Sequence, residues 1–293
     1  MKCLVIGNNG QIAKSISDIR KQNVEIIRIG RPDIDLLKPK DFSSFFMKFS
    51  PDIIINPAAY TAVDKAEDEP DTAFYINSKG AAAVAKAAES IGVPCIYIST
   101  DYVFDCSFHK PICEYSPTNP LNIYGKSKLS GEKEVASYTN NYVVLRTSWV
   151  YSMYSKNFLL SMLRLAKERN EISVVCDQFG TPTSATQIAE AIIKISHNLL
   201  ENNDMSLRGI FHMTADGGSI SWADFAEYIF LVSSEYGGPY AKVCRISAKE
   251  YPTKAYRPSY SCLDCSKLEK IHKVRIPSWK EGVRDIIGNV LNK

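Results

Sequence analysis

The amino-acid sequence predicts an α/β protein built on a doubly wound parallel sheet, with a smaller mixed domain after it. Short runs of Val, Ile and Leu alternate with helical stretches through the first 150 residues. Such continuously apolar strands are typical of parallel sheets that are covered by helices on both faces. A glycine turn follows the first strand directly, and the alternation loosens after residue 150. These observations predict a Rossmann-like first half and a less regular second half.

Each element follows from a local pattern. In the first half, apolar runs predict strands at 2–6, 24–29, 52–56, 95–99 and 142–147. Helical spacing between them predicts helices at 11–21, 73–91 and 124–137. In the second half we expect helices near 157–168, 184–200 and 221–236, and strands near 172–175 and 209–213. Turn-rich stretches at 237–242 and 251–260 separate the later elements.

This pattern suggests two functional parts. We expect residues 1–150 to form a dinucleotide-binding domain, to which segments near 172–200 could return. Residues 151–293 would form a smaller substrate-binding part.

Composition and charge exclude several classes of protein. The chain has 293 residues, of which 45% are hydrophobic and 23% charged, so disorder and coiled coil are excluded as the overall class. The formal net charge of +3 does not indicate a nucleic-acid or membrane partner. The N-terminal apolar run ends at Gly7, too early for a signal peptide, so we expect a cytoplasmic protein.

The eight cysteines do not form a convincing metal site. Cys262 and Cys265 make a C-x-x-C pair, but a structural zinc site needs a second pair or suitably spaced histidines. We therefore expect free thiols and no metal.

The first motif is the glycine turn, which runs G-x-x-G-x-x-A from Gly7 through Gly10 to Ala13. Glycines at such a turn let backbone N–H groups approach a pyrophosphate at the start of a helix. The spacing alone is a weak signal, because glycines also mark turns that bind nothing. Its position inside a βαβ unit favours a dinucleotide site.

The second motif joins a strand end to a helix. Thr100 and Asp101 end the fourth strand, while Tyr124 and Lys128 are four residues apart on a helix and share one face. A nearby ammonium would lower the pKa of the Tyr124 phenol, and the Thr100 hydroxyl could bond a substrate carbonyl. The alternative is that the Y-x-x-x-K pattern is incidental. The presence of the other motifs in the same chain disfavours this alternative.

Longer stretches carry a family resemblance. They include GNNGQIA, PDIIINPAAYTAVDKAEDEP, STDYVF, PLNIYGKSKLSGE, LRTSWVY, VVCDQFGTPTSA and FHMTADGGSISWADFA. On these segments the chain resembles the extended short-chain dehydrogenase/reductase superfamily, and more closely its dTDP-4-dehydrorhamnose reductase family. The resemblance implies NAD(P)H-dependent reduction of the 4-keto group of dTDP-4-dehydro-L-rhamnose to dTDP-L-rhamnose.

The resemblance also implies residue roles. Tyr124 would donate the proton, Lys128 would hold the nicotinamide ribose and tune Tyr124, and Thr100 would bond the reacting carbonyl. The expected cofactor-binding residues are Gly7, Asn9, Gly10, Gln11, Ile12, Arg31, Asp35, Ala59, Tyr60, Thr61, Tyr124 and Lys128. The expected substrate-binding residues are Thr100, Asp101, Trp149 and Arg257. For Trp149 a core role stays open, and for Arg257 a solvated surface position.

The end of the second strand bears on the choice of cofactor. NAD-selective sites usually place an acidic residue there, whereas this chain has Arg31, which could pair with the 2′-phosphate of NADP. We therefore expect NADPH to be preferred, with NADH as an accepted second cofactor. The alternative is that Asp33 or Asp35 folds back to the ribose.

Three positions depart from the family pattern. Pro57 replaces a usual alanine, so the cofactor pocket could differ there. Ser15 and Thr186 stand where some family members carry glutamates that hold a bridging magnesium. Since magnesium prefers carboxylate oxygens, we expect a monomer or a metal-independent homodimer.

Two other functions stay open. One is a nucleotide-binding regulatory subunit of the same superfamily, which need not keep Thr100, Tyr124 and Lys128 together. The other is a reductase of a different nucleotide-linked 4-keto sugar, since the contacts to base and sugar fall in the loosely patterned second half.

Overall fold

The structure is a computed structural model that describes residues 1–105 and 110–292. Its strands are β1 (Lys2–Ile6), β2 (Glu25–Ile29), β3 (Ile53–Asn56), β4 (Cys95–Thr100), β5 (Tyr142–Thr147), β6 (Val150–Tyr151), β7 (Glu171–Val175), β8 (Phe179–Gly180), β9 (Thr183–Ser184), β10 (Gly209–His212), β11 (Ala215–Asp216), β12 (Ile220–Ser221), β13 (Lys242–Ile246) and β14 (Ile276–Ser278). Its α-helices are α1 (Gln11–Ser17), α2 (Ser43–Met47), α3 (Val63–Ala66), α4 (Pro70–Phe74), α5 (Ala81–Ser90), α6 (Ile123–Tyr138), α7 (Phe158–Ala166), α8 (Ala185–Glu201), α9 (Trp222–Glu235), α10 (Ser266–His272) and α11 (Trp279–Leu291).

A six-stranded sheet with the order β10-β5-β4-β3-β1-β2 forms the centre of the molecule. Every neighbouring pair in it is parallel. The doubly wound α/β prediction is therefore confirmed. Because all the strands run the same way, their carboxyl ends meet at one edge, where open α/β sheets bind ligands.

Each face of the sheet is covered by helices. On one face, Val5, Ile55 and Ile96 pack in a cluster with Ile16 of α1 and Ile192 of α8. On the other face, β1 and β3 pack against α5, and β4 and β5 pack against α6. Burial on both sides explains why these strands read as continuous apolar runs rather than alternating ones.

Helix α6 lies unusually close to its neighbours. It contacts α5, β4 and the segment that precedes α5. A Cβ atom added at Gly131 would lie 2.0 Å from the Asn77 carbonyl oxygen and 2.5 Å from the Tyr97 hydroxyl. Glycine is therefore required there to let the helix approach the sheet.

The long helix predicted at 73–91 differs from the observed structure. Helical structure begins earlier, at Pro70, and is interrupted by a π-helical segment at Tyr75–Gly80 before α5. The wider turn brings Asn77 into the interior, where its side chain bonds the Tyr60 main chain and the Ser127 hydroxyl. Interior hydrogen bonds of this kind leave no signature in helical periodicity.

The second half of the chain returns to the sheet. Strand β10 pairs with β5, and α8 packs on α1. The remaining strands form small two-stranded pairings, of which β7 with β13 is the longest. Strand β13 lies between the two turn-rich stretches and was not predicted, and helices α10 and α11 were not predicted either. The functional division at residue 150 stays a prediction.

A membrane-spanning helix is not found. Within residues 1–105 and 110–292, every helix is too short or too polar to cross a bilayer.

The close approach at Gly131 generates a stability prediction. Gly131→Ala should lower the free energy of unfolding by about 1–3 kcal/mol, because the added methyl meets a fixed backbone carbonyl. Urea unfolding measures the change. Gly10→Ala is the matched control: an added Cβ there meets nothing within 4 Å, and its φ of −68° suits alanine. Equal stability of the two variants would contradict the argument.

Candidate active site

A cavity of about 750 Å³ lies at the carboxyl ends of the central strands. The turns after β1, β2 and β3 line it, together with the last residues of β4 and β5. Helix α6 contributes Tyr124 and Lys128 to its wall. The motifs that the sequence argument treated separately therefore face one space.

The glycine turn forms one end of this cavity. Gly7 has φ +118°, a conformation that side chains rarely adopt, and its N–H donates to the Ile29 carbonyl at 2.6 Å. Gly10 caps α1 without any side-chain hydrogen bond, so the first N–H groups of that helix stay open to a ligand. Asn9, Gln11 and Ile12 also line the cavity. The shape of this turn suits a pyrophosphate.

The Gln11 side chain is already engaged. Its Nε2 donates to the Val150 carbonyl at 3.3 Å, and its Oε1 accepts from the Ser152 hydroxyl at 2.8 Å. A contact from Gln11 to a cofactor would therefore use its backbone N–H.

The end of the second strand also faces the cavity. Arg31 and Asp35 line it, whereas Asp33 is outside the described lining. The Asp35 carboxylate accepts a hydrogen bond from the Leu37 N–H at 3.0 Å, so one of its oxygen atoms already has a partner within the same loop. The Arg31 side chain is exposed. A dinucleotide fits the donors and the space that this end of the cavity presents.

Thr100 and Asp101 lie where β4 ends. The Thr100 hydroxyl donates to Asp101 Oδ1 at 3.0 Å and accepts the Tyr102 N–H at 3.2 Å. Tyr124 lies close enough to Thr100 for that hydroxyl to act on the pKa of its phenol. The side chain of Asn122 caps α6 by accepting the Gly125 N–H at 2.7 Å, which fixes the turn that carries Tyr124.

Lys128 is 1% exposed and does not use its amine on Tyr124. Its Nζ donates to the Tyr97 hydroxyl at 2.7 Å and to the Ile98 carbonyl at 2.6 Å. Burial lowers the pKa of Lys128 to about 7, although the nearby Glu132 carboxylate opposes that shift. Near neutral pH the amine is therefore poised between its charged and neutral forms.

The expected effect of Lys128 on Tyr124 is not seen. Burial raises the pKa of Tyr124 to about 12, while the nearby Thr100 hydroxyl acts in the other direction. The prediction that Lys128 lowers the pKa of Tyr124 was wrong, because it rested on the charge of Lys128 alone. The partners of the amine and the burial of the phenol depend on the whole fold. A phenol with a raised pKa stays protonated near neutral pH and can act as a proton donor.

Asp101 is also perturbed. Burial raises the pKa of its carboxyl to about 6, while hydrogen bonds from Ser261 and Thr100 lower it. Its Oδ2 atom is buried and has no hydrogen-bond partner among the described residues. A buried carboxyl in a cavity wall with spare hydrogen-bonding capacity is suited to bind a polar ligand.

Trp149 stands where the sheet meets the second half of the chain. It has φ +46°, and its ring stacks on Trp222 with a centroid separation of 3.4 Å. An added Cβ at Gly180 would lie 2.5 Å from the indole. Both tryptophans line the cavity. A strained backbone that presents an aromatic ring to a cavity is typical of a binding position.

Tyr60 and Arg257 are not brought into the described cavity lining. The Tyr60 hydroxyl donates to Glu69 Oε2 at 2.8 Å. Arg257 forms a bidentate ion pair with Asp64: its Nη2 lies 2.6 Å from Oδ2 and its Nη1 lies 3.0 Å from Oδ1. Ala59 and Thr61, by contrast, do line the cavity. The binding roles of all four residues stay predictions.

Several lining residues were not anticipated. They are Asn8, Ala58, Val63, Ile76, Tyr102, Ser155, Lys156, Asn157 and Trp222, among others. Most lie in loops that reach the cavity from other parts of the chain, and no motif marks them. Lys156 is the exposed cation of this group.

The positions considered for metals are polar but not acidic. Ser15 is buried in α1 and Thr186 is exposed on α8. Pro57 lines the cavity. In residues 1–105 and 110–292, no group of three or more His, Cys, Asp or Glu side chains could hold a metal ion.

Comparisons with known proteins agree on one family. The family model described as RmlD substrate binding domain matches residues 1–292. A dTDP-4-dehydrorhamnose reductase of Sinorhizobium fredii is 48% identical over 99% of this chain and 98% of its own length.

Two solved structures extend the agreement. A dTDP-4-dehydrorhamnose reductase of Clostridium acetobutylicum has 37% identity, covers 100% of both chains and superposes with a TM-score of 0.89. One from Bacillus anthracis, in complex with NADP, has 36% identity, covers 98% of this chain and 99% of its own, and has a TM-score of 0.90. This chain therefore belongs to the RmlD substrate binding domain family, together with these dTDP-4-dehydrorhamnose reductases.

Proposed function

We propose that this chain is an NAD(P)H-dependent reductase that converts dTDP-4-dehydro-L-rhamnose into dTDP-L-rhamnose. The observation that carries the proposal is the meeting of Thr100, Tyr124 and Lys128 in one cavity whose far end is a glycine turn. The names of the similar proteins support the choice of substrate. The proposal places the protein in nucleotide-sugar metabolism, on the route to rhamnose-containing polysaccharides.

The reduced nicotinamide, when bound, supplies the hydride that reduces the carbonyl carbon. This chain supplies the proton and the geometry. Thr100 and Tyr124 both offer hydroxyl groups at the end of β4, where a carbonyl oxygen could accept a hydrogen bond from each. Tyr124, with its raised pKa, holds the proton until negative charge develops on that oxygen.

Lys128 has a different role in this proposal. Its amine would bond the ribose hydroxyls beside the nicotinamide and supply positive charge when Tyr124 gives up its proton. A pKa of about 7 lets it be charged or neutral near physiological pH. The electrostatic support for a phenolate therefore depends on pH.

Substrate contacts are proposed for Asp101, Trp149 and Arg257. Asp101 has the spare carboxyl oxygen, and Trp149 presents an indole to the cavity. Arg257 is paired with Asp64, so contact with a diphosphate would have to share or displace that carboxylate. A guanidinium has enough donors to do both.

NADPH is the proposed cofactor, with NADH as an accepted second choice. The exposed Arg31 side chain at the cavity wall can pair with a 2′-phosphate, and one relative is described in complex with NADP. The partly engaged Asp35 is the counter-argument, because its carboxylate would favour a ribose 2′-hydroxyl.

The alternative functions are less well supported. A regulatory subunit has no need of the Thr100, Tyr124 and Lys128 set, which this chain keeps. A reductase of another nucleotide sugar would share the same chemistry and differ only in contacts from the second half of the chain. The substrate assay below separates the proposal from both.

A cytoplasmic location and a monomer or metal-independent dimer complete the proposal. The cysteines in the described part of the chain are all free thiols, as is usual in a reducing compartment. Ser15 and Thr186 offer no carboxylate to a bridging magnesium.

The catalytic proposal is tested on Tyr124. The wild-type protein should oxidise NADPH only when dTDP-4-dehydro-L-rhamnose is present. Tyr124→Phe should lower kcat by roughly 100-fold or more, because the proton donor is lost, with little change in the affinity for NADPH. The rate of NADPH oxidation measures the first effect and fluorescence titration the second.

The control for that variant is Tyr151→Phe. Tyr151 is a buried tyrosine outside the described cavity lining, and its hydroxyl donates to the Trp279 carbonyl at 2.7 Å. It should lose some stability and keep normal turnover. Near-normal turnover in Tyr124→Phe would remove that residue from its role. NADPH binding with no turnover in the wild type would contradict the proposal and leave the two alternative functions.

The cofactor proposal is tested on Arg31. Arg31→Ala should lower kcat/KM with NADPH by about tenfold and leave the value with NADH nearly unchanged, because only NADPH carries the 2′-phosphate. Arg20→Ala, which removes an arginine outside the described lining, is the control. The proposal is contradicted if Arg31→Ala does not change the ratio of kcat/KM with NADPH to kcat/KM with NADH.

The burial of Asp101 predicts a pH-dependent stability. Because the pKa of this carboxyl is raised to about 6, the folded protein keeps the proton after the unfolded chain has lost it, and stability falls as pH rises through about 6. Asp101→Asn removes this loss. Its free energy of unfolding relative to wild type should rise by on the order of 1–3 kcal/mol between about pH 4 and pH 8.

Urea unfolding at the two pH values measures this difference. Asp264→Asn is the control of opposite sign, because hydrogen bonds from Ser266 lower the pKa of Asp264. That variant should lose stability, relative to wild type, as pH rises. Parallel pH profiles for Asp101→Asn and wild type would contradict the argument.

A further inference from the structure

The amine of Lys128 is held from within the sheet by a residue to which no motif assigned a role. Tyr97 lies in the middle of β4 and is fully buried. Its hydroxyl accepts a hydrogen bond from Lys128 Nζ at 2.7 Å, and the Nζ atom lies 3.9 Å from the centre of its ring. Tyr97 therefore contacts the amine with both its hydroxyl and its π face.

The two partners of the Tyr97 hydroxyl fix which hydrogen bond it donates and which it accepts. The Tyr97 hydroxyl donates its single proton to the Asn77 carbonyl at 2.7 Å. Towards Lys128 it can then act only as an acceptor. Burial raises the pKa of Tyr97 well above its usual value, so the hydroxyl keeps its proton and this direction persists across physiological pH.

The surrounding backbone holds the Tyr97 hydroxyl in place. Asn77 lies in the π-helical segment, and its side chain is bonded to Tyr60 and to Ser127 of α6. Gly131 leaves just enough room on α6 for the hydroxyl and the Asn77 carbonyl. The acceptor that faces Lys128 is therefore part of a rigid, buried network.

Charged groups lie near Lys128 on α6, on β5, after β4 and on the π-helical segment. On α6 itself, Glu132 raises the pKa of Lys128, and Tyr124 is protonated. From β5, Arg146 is paired with Glu132 at 2.7 Å. Asp101, after β4, does not contribute to the pKa shift of Lys128. Lys79 of the π-helical segment is exposed and pairs with Glu134.

We propose that Tyr97 is a positioning residue, whose hydroxyl fixes the Lys128 amine beside Tyr124 and stabilises its charged form. The inference deepens the proposed reductase function and rests on it for its catalytic consequence. Its structural part, the link between Tyr97 and the protonation of Lys128, is independent of that function.

Tyr97→Phe isolates the hydroxyl, because the ring and its contact with the amine are kept. The charged Lys128 loses one acceptor, so its ammonium form is less stable. The pH titration of Lys128, followed by ¹³C NMR of its Cε resonance, should then move to lower pH by about one unit, a roughly tenfold loss of proton affinity. Lys128→Arg identifies the resonance.

Kinetics give the second measurement. With NADPH and the 4-keto sugar, kcat should fall by about tenfold at pH 8, where less of the variant's Lys128 is charged, and should recover towards wild type at lower pH. The KM for the sugar should change little, since Tyr97 does not line the cavity. A loss of kcat that is the same at every pH would indicate a merely structural role and overturn the proposal.

Tyr142→Phe is the matched control. Tyr142 packs in the same apolar cluster as Tyr97 but makes no described contact with Lys128. Its Lys128 titration and pH profile should match wild type. Melting temperatures report whether each variant folds. If Tyr97→Phe does not fold, the wild type still decides the matter: the Tyr97 Cζ resonance should shift with the same midpoint as Lys128 Cε.

The outcomes are distinct. The inference is overturned, whatever the activity of the enzyme, if the titration midpoint of Lys128 is unchanged in folded Tyr97→Phe. It is also overturned if the Tyr97 Cζ resonance of the wild type does not shift with the midpoint of Lys128. A shifted titration in a protein that does not reduce the sugar would uphold the Tyr97–Lys128 link and reject the proposed function.

Discussion

The buried ion pair between Glu132 and Arg146 holds helix α6 against the sheet. Arg146 Nη2 and Nε lie 2.7 and 2.9 Å from the two carboxylate oxygens, and both side chains are 3% exposed. Ser99 of β4 donates to the same carboxylate. Such a pair costs free energy to bury, but losing one partner costs about 3–5 kcal/mol because the other is left unpaired. It therefore specifies where α6 lies.

The position of α6 determines where the side chains proposed for catalysis lie. Tyr124, Lys128 and Glu132 are spaced four residues apart on α6 and face the same side. Once Glu132 is anchored, Lys128 reaches Tyr97 and Ile98, and Tyr124 meets Thr100 at the end of β4. Tyr124 and Lys128, the proposed proton donor and its supporting cation, thus take their positions from a buried polar network, and the glycine at 131 allows α6 to approach the sheet.

The sequence predicted the parts of the fold that depend on local pattern. The strand at Tyr142–Thr147 and the helix carrying Tyr124 follow from apolar runs and helical spacing, and both are present. Contacts between distant residues were out of reach. The pairing of Asp64 with Arg257 joins positions 193 residues apart, and the π-helical segment owes its shape to the interior partners of Asn77. The pKa of Tyr124 was predicted in the wrong direction because burial depends on the whole fold.

In the proposed reaction, a hydride passes from the reduced nicotinamide to the carbonyl carbon of a nucleotide-linked 4-keto sugar bound in this cavity. Transfer of deuterium tests it most directly. The protein is incubated with dTDP-4-dehydro-L-rhamnose and NADPH deuterated on one or the other face of the nicotinamide C4, and the product is analysed by NMR. The expected product is dTDP-L-rhamnose with deuterium at sugar C4, transferred from one face of the nicotinamide only. A reduced sugar without deuterium, or no reduced sugar, would contradict it.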